Sequence, residues 1–405
     1  MAITFKSIPD GWEIKKMPDV VKWGSGGTPK ATVKEYYENG TIPWLIIGDL
    51  NNGIVTRSES KITELGLKNS SAKMIPAGTL LVAMYGSIGK LGITGMECCT
   101  NQAIAYAKEL RGVTTKYMFY YMAMMKSELI SKGKGGTQKN ISQTVLNSLD
   151  VIVPPIEEQE RIVFRIEEML SQLDDGVETL IKTKEQLKFY RQAALTKAYP
   201  EIDEHNKRYL REIAEISSGI TKGRNLEGYD IVKLPYLRVA NVQNGFLDLS
   251  EIKEIELKKT EIERFLLCNN DVLYTEGGDR DKLGRGTVWK EEISNCVHQN
   301  HIFKARVNKE IANPEYVAFW SMSTHARNYF YEKGKQSVNL ASINKTVLSN
   351  LEIPILSLNE QEKVVEEINT RLSVCDNIEQ TVEKALKQAE ALRQSILKKA
   401  FEGEV

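Results

Sequence analysis

The sequence predicts an α+β protein built twice over. Two tandem α/β heads are each followed by a long helix, the two helices pair antiparallel as a coiled coil, and the whole forms a pseudo-twofold dumbbell. Three observations predict it. The segment 135–163, GGTQKNISQTVLNSLDVIVPPIEEQERIV, is echoed at 333–365 by KGKQSVNLASINKTVLSNLEIPILSLNEQEKVV. Two stretches, 157–199 and 359–401, contain no proline and between them one glycine, Gly176. The chain of 405 residues exceeds one ordinary hydrophobic core.

The expected boundaries are a first head at 1–156, a first helix at 157–199, a second head at 200–358 and a second helix at 359–405. Within the first head, Thr79-Leu80-Leu81-Val82-Ala83-Met84-Tyr85 reads as a strand, 115–130 as a helix and Leu149-Asp150-Val151-Ile152-Val153 as a closing strand. The second head repeats them. Asp271-Val272-Leu273-Tyr274-Thr275 is a strand, Asn313-Pro314 an N-cap with proline at the first helical position, and Leu351-Glu352-Ile353-Pro354-Ile355 a closing strand. Further echoes are Ile42-Pro43-Trp44-Leu45 with Leu234-Pro235-Tyr236-Leu237, Lys90-Leu91-Gly92 with Lys282-Leu283-Gly284, and Asn101-Gln102-Ala103-Ile104 with Gln299-Asn300-His301-Ile302. A period near two hundred residues marks a duplicated domain rather than a solenoid.

Each helix carries an apolar residue every seventh position. In the first these are Ile166, Leu173, Leu180, Leu187 and Ala194; in the second, Ile368, Cys375, Val382, Ala389 and Ile396. That period is a coiled-coil seam. Each helix spans roughly 60 Å at about 1.5 Å per residue. The linker PEIDEHNKRYL is short, so a second helix that leaves the second head and packs on the first must run back along it.

Composition excludes several classes. The chain is 41% apolar and 27% charged, as soluble globular proteins are, and no apolar run reaches membrane-spanning length. MAITFKSIPDGWEIKK has no secretion signal, and five cysteines without CxxC spacing read as free thiols of a reducing cytoplasm. Net charge is zero, yet residues 1–156 hold 18 Lys/Arg against 12 Asp/Glu. Contact with a nucleic acid is therefore focal, or shared with other subunits.

The ordered motifs Pro9-Asp10-Gly11-Trp12-Glu13, Gly26-Gly27-Thr28-Pro29, Gly48-Asp49-Leu50, GGTQKNIS, Pro154-Pro155-Ile156-Glu157-Glu158-Gln159, Tyr236-Leu237-Arg238-Val239-Ala240-Asn241-Val242 and His298-Gln299-Asn300-His301 run along essentially the whole chain. With its ending Leu392-Arg393-Gln394-Ser395-Ile396-Leu397, the chain resembles the specificity subunit of type I restriction–modification enzymes. The resemblance implies that each head is a target recognition domain reading half of a bipartite sequence in double-stranded DNA. It implies that the helices set the gap between half-sites and dock two modification subunits, joined by restriction subunits. The chain itself is then no enzyme and binds no cofactor. S-adenosylmethionine, ATP and Mg are expected on the partners. Ser357-Leu358-Asn359-Glu360-Gln361 lacks the double proline of the first copy, a departure that leaves the helix start intact.

Reading bases takes forked donors and acceptors, Arg for guanine and Asn or Gln for adenine, while phosphate contacts set register. Candidates in the first head are Tyr85, Ser87 and Lys90, and Lys134, Thr137, Gln138, Lys139 and Asn140 of the glycine-rich segment. In the second head they are Lys222 and Arg224, then Arg238, Asn241 and Gln243, which alternate as on one strand face. Arg280, Lys282 and Arg285, with Gln299, Asn300, His301, Gln336 and Asn339, complete the set. Each has a plainer reading as a turn, cap or solvated residue. Gly135-Gly136 and Gly277-Gly278 read equally as turns.

Two rivals are weighed. An autonomous enzyme lacks its motifs: there is no GxxxxGK[ST] loop, the sole double proline (Pro154-Pro155) has neither methyltransferase flank, and Glu13-Ile14-Lys15 is a common tripeptide. Cys296, His298 and His301 have no second cluster to complete a metal site. The other rival is a coiled-coil adaptor, or a DNA-binding protein acting without a methyltransferase.

Overall fold

The computed structural model describes residues 9–135, 139–278, 280, 283–336 and 341–404. The chain forms two compact units, Met1–Leu180 with Lys384–Val405, and Ile181–Glu383.

In the first unit the strand Leu80–Ala83 is buried along its whole length. Its side chains alternate between two cores. Leu80 and Val82 face a cluster with Tyr117, Met118 and Tyr121, while Leu81 and Ala83 face Leu45, Cys98 and Ile104. The five-stranded sheet around it has the order Val21–Ser25, Ile104–Leu110, Leu80–Ala83, Leu91–Thr94, Ile54–Val55. A small sheet, Lys61–Ile62, Ile42–Leu45 and Cys99–Thr100, leans beside it, and Glu13–Lys16 pairs antiparallel with Asp150–Val153. The second unit repeats the plan, with a four-stranded sheet Ala214–Ser218, Ile302–Val307, Val272–Thr275, Gly286–Val288. Its small sheet is Lys253–Lys258, Ile231–Leu237 and Val297–His298, and Lys207–Tyr209 pairs with Glu352–Pro354. In both small sheets one pairing is parallel, Trp44 with Cys99 and Tyr236 with Val297.

The expected helices are present but broken. The segment 115–130 forms Thr115–Met124 and Lys126–Ser131, interrupted at Met125. In the second unit Asn313 caps Pro314–Ser321, its Oδ1 accepting from the Glu315 N–H at 2.8 Å. That helix stops at Met322, and Ser323 caps a new one, Thr324–Lys333.

Two expectations are corrected. Arg238, Asn241 and Gln243 do not share a strand face: the strand ends at Leu237, and Val239–Asn241 is a 3-10 turn. Gly277–Gly278 is no turn but a two-residue strand paired with Ala341–Ser342.

The long helices are Ile156–Lys197 and Leu358–Phe401. Within each unit they run antiparallel. Asp174 meets Arg393 in the first; Lys184 meets Glu383, and Arg191 meets Asp376, both at 2.6 Å, in the second. Ile166, Leu187, Ile368, Cys375 and Val382 are buried, and Leu173, Leu180, Ala389 and Ile396 half-buried, as a seam requires. The exposed ion pairs add register more than stability, about 0–1 kcal/mol each.

Helix ends lock into the heads through aromatic rings. Phe401 lies with its ring centroid 5.2 Å from Tyr117 and 5.1 Å from Tyr121. Tyr199, just past the first long helix, lies 4.8 Å from Tyr316 and 5.0 Å from Trp320. Among the described residues no helix is long and apolar enough to cross a membrane.

Candidate nucleic-acid interface

In each head the loop after the central strand meets a hairpin. In the first head Lys134 and Asn140 exchange backbone hydrogen bonds of 2.9 and 2.8 Å. The Gly86 N–H donates to Lys139 O at 3.1 Å and to Asn140 Oδ1 at 3.2 Å. Tyr85, Ser87, Lys134, Lys139 and Asn140 are thereby gathered, all exposed. Thr137 and Gln138 lie outside the described residues.

In the second head the hairpin strands Lys335–Gln336 and Ala341–Ser342 continue onto Gly277–Gly278. The Ile343 N–H donates to Glu276 O, and the Glu276 N–H to His301 O at 2.9 Å. His301 Nδ1 also meets Glu276 Oε2 at 2.5 Å, with Asn300 beside it. Arg280 lies 4.2 Å over the Tyr331 ring. Lys282 and Asn339 lie outside the described residues. Lys222 is exposed, two residues after Ile220, which bridges to Gln299, and Arg224 donates to both oxygens of Glu261 at 3.0 Å.

Several motif residues hold the frame. Asn241 is buried; its Oδ1 accepts from the Arg238 N–H at 2.8 Å, and its Nδ2 donates to Asp248 O and Glu251 O. Asp49 does the same work in the first head, accepting from the Ile46 N–H at 2.7 Å and from the Glu59 N–H at 3.1 Å. That explains the echo of Gly48-Asp49 in Ala240-Asn241. The glycines just after the first strand of each main sheet are equally forced. A Cβ on Gly26 would fall 2.1 Å from Thr100 O, and one on Gly219 would fall 2.0 Å from His298 O. His298 is fully buried, bonded through Nδ1 to Ile302 O at 2.9 Å, and burial beside Lys304 pushes its pKa down to about 4. Asp49, Glu276 and Gly219 were not among the sequence candidates; their place beside repeated motifs was the available signal.

One echo proves out of register. The Ala83 N–H donates to Lys90 O, while the equivalent Thr275 N–H donates to Arg285 O. The matching ladders, Val82 with Leu91 and Tyr274 with Gly286, make Arg285 the counterpart of Lys90, although Lys90-Leu91-Gly92 is spelled again at 282–284. Lys90 Nζ donates to Ile47 O at 3.2 Å and Gly48 O at 3.3 Å. Arg285 Nη1 donates instead to Gln243 Oε1 at 3.0 Å, and Gln243 Nε2 donates to Ala240 O at 2.8 Å.

Two tandem α/β heads, each with a pair of long helix segments and a polar loop that meets a hairpin at the matching place, define a class of duplicated, two-headed proteins. The particular family follows from comparison. The family described as "Type I restriction modification DNA specificity domain" matches residues 9–188 and again 202–388. The chain belongs to that family, with two specificity domains in tandem, and is its non-catalytic DNA-specificity subunit. It is 24% identical to the EcoKI specificity subunit of Escherichia coli (strain K12), over 98% of this chain and 90% of that one. It is 22% identical to the StySPI specificity subunit of Salmonella potsdam, with the same coverage of each chain, 98% and 90%. A solved structure from work on complex assembly and conformational transition of the type I R-M system shares the fold, with a TM-score of 0.73 at 16% identity, covering 98% of this chain and 100% of that one.

Proposed function

We propose that this chain directs a cytoplasmic type I restriction–modification complex to a split DNA target, each head reading one half-site. The long helices set the gap and dock two modification subunits, with restriction subunits completing the assembly; S-adenosylmethionine, ATP and Mg belong to those partners. The observation that carries the reading is a shared framework with divergent chemistry at one place: Lys90 and Arg285 occupy the same ladder position but hold different partners. Docking on the helices is supported by Phe164 and Phe189, which are 66% and 77% exposed there.

The test is genome-wide methylation mapping in a host expressing this chain with its cognate modification subunit, and that subunit alone. A split motif methylated only when both are present is expected. No new methylation and no copurification would overturn the reading in favour of an adaptor.

A further inference from the structure

We infer that Arg285, held in place by Gln243, reads a guanine in the half-site of the second head, and that the first head makes no equivalent contact. The inference rests on the proposed function and adds to it one base at one position.

The two heads provide an internal comparison. At this ladder position each carries a cation directed at the same 3-10 turn, Ile47–Asp49 in the first head and Val239–Asn241 in the second. Lys90 reaches the turn itself and donates to its carbonyls, so its ammonium is occupied by the framework. In the second head Gln243 takes the corresponding carbonyl, Ala240 O, and its amide oxygen then receives Arg285. The guanidinium is set one amide further out from the turn. One Nη is committed, and the planar fork is oriented.

Charge distinguishes Arg285 from its neighbours. Arg224 is paired with Glu261, Arg238 with Glu251 at 3.2 Å and Arg306 with Asp271 at 2.8 Å. Among the described residues no carboxylate pairs with Arg285; its partner is a neutral amide. An arginine that must break an ion pair to meet a base loses much of what it gains. One buttressed by an amide keeps its full charge and has its rotamer fixed beforehand. Arginine donating to O6 and N7 is the favoured contact to guanine. The position fits: Arg285 lies across from Thr275, next to the Glu276–His301 pair and the strand Gly277–Gly278 that carries the hairpin.

The test uses purified complexes of this chain with its modification subunit, in competition binding at fixed salt against the mapped target and its single-base-pair substitutions. Wild type is expected to discriminate one G·C pair of one half-site by roughly 5- to 150-fold. In Arg285→Ala that ratio falls to within about 2-fold while discrimination at all other positions is kept. Gln243→Leu, which retains the guanidinium but not its support, weakens the same ratio and no other. It decides the matter should Arg285→Ala fail to assemble. Unchanged discrimination in either assembled variant, or an equal loss of affinity for every sequence, overturns the inference. A split motif from wild type with unrelaxed variants overturns this inference alone; absence of any split motif from wild type overturns the proposed function with it.

Discussion

The Gln159 side chain accepts the Thr114 N–H at 2.9 Å and donates to Gly112 O at 2.8 Å and Pro154 O at 2.9 Å. Gln361 makes the same three bonds in the second unit, with the Asn313 N–H, Ile311 O and Leu356 O. Both glutamines are fully buried at a helix start. Each ties a long helix to the turn that begins a short helix of its head, so one side chain latches the helix start to the head.

Gln159→Leu should therefore leave one N–H and two carbonyls without partners. A loss of about 1–3 kcal/mol is expected, visible as an earlier urea transition for the first unit, with the second unaltered. Equal transitions in variant and wild type would refute the latch.

Lengthening the helices should act on the target's spacer rather than its half-sites. Four residues, about one turn, inserted after Lys184 and, facing it, before Glu383 should change the number of base pairs between half-sites in methylation maps. The same insertion after Tyr199, beyond the ring contacts with Tyr316 and Trp320, extends only the tether and should leave the spacer unchanged.

His298 predicts a pH response. Its folded pKa is pushed down to about 4 by burial, below the ordinary value near 6.5. The unfolded chain therefore takes up a proton that the folded one refuses. Stability is full above about pH 7 and falls as pH drops through 6.5 toward 4, by about 2 kcal/mol at pH 5. His298→Gln should flatten that part of the profile, measured as the wild-type minus variant difference in urea midpoint between pH 7 and pH 5.

The cysteines should react in two classes. Burial pushes Cys98, Cys99 and Cys296 up to about 12, and raises Cys375 inside the seam. Cys268 is half-buried. At pH 8 an aromatic disulfide reagent should label Cys268 first, and the other four only in denaturant. Prompt labelling of two or more in the native protein would contradict this packing.

What could be read from the sequence was what repeats or keeps a period. The duplication, the seam and the Asn313 cap follow from residue spacing and short-range chemistry. Ladder register did not: Lys90-Leu91-Gly92 and its second spelling look equivalent, and only the backbone pairing shows that Arg285 stands where Lys90 does. The 3-10 turn after Leu237 was hidden for a related reason. Asn241 bonds back to the Arg238 N–H, a capping contact that an alternating polar pattern disguises as a strand. The break at Met322 did carry a local signal, the Ser323 cap of the next helix, whereas Met125 joins two helices with no side-chain cap to mark the interruption. Gln159 and Gln361 look like ordinary polar helix residues; their burial is a tertiary fact.

The aromatic locks have a consequence for how the molecule is made. Leu195-Thr196-Lys197-Ala198-Tyr199 and Leu397-Lys398-Lys399-Ala400-Phe401 are related endings, yet each closes the head of the other copy. The first head leaves the ribosome with Tyr117 and Tyr121 uncovered and waits for Phe401, translated after the whole second head, to cover them. The second head meets the opposite order, since Tyr199 is already there when Tyr316 and Trp320 arrive. Two related folds thus mature on different schedules: the later-translated head receives its aromatic lock as it forms, and the earlier one only after the second head and its helix have been made.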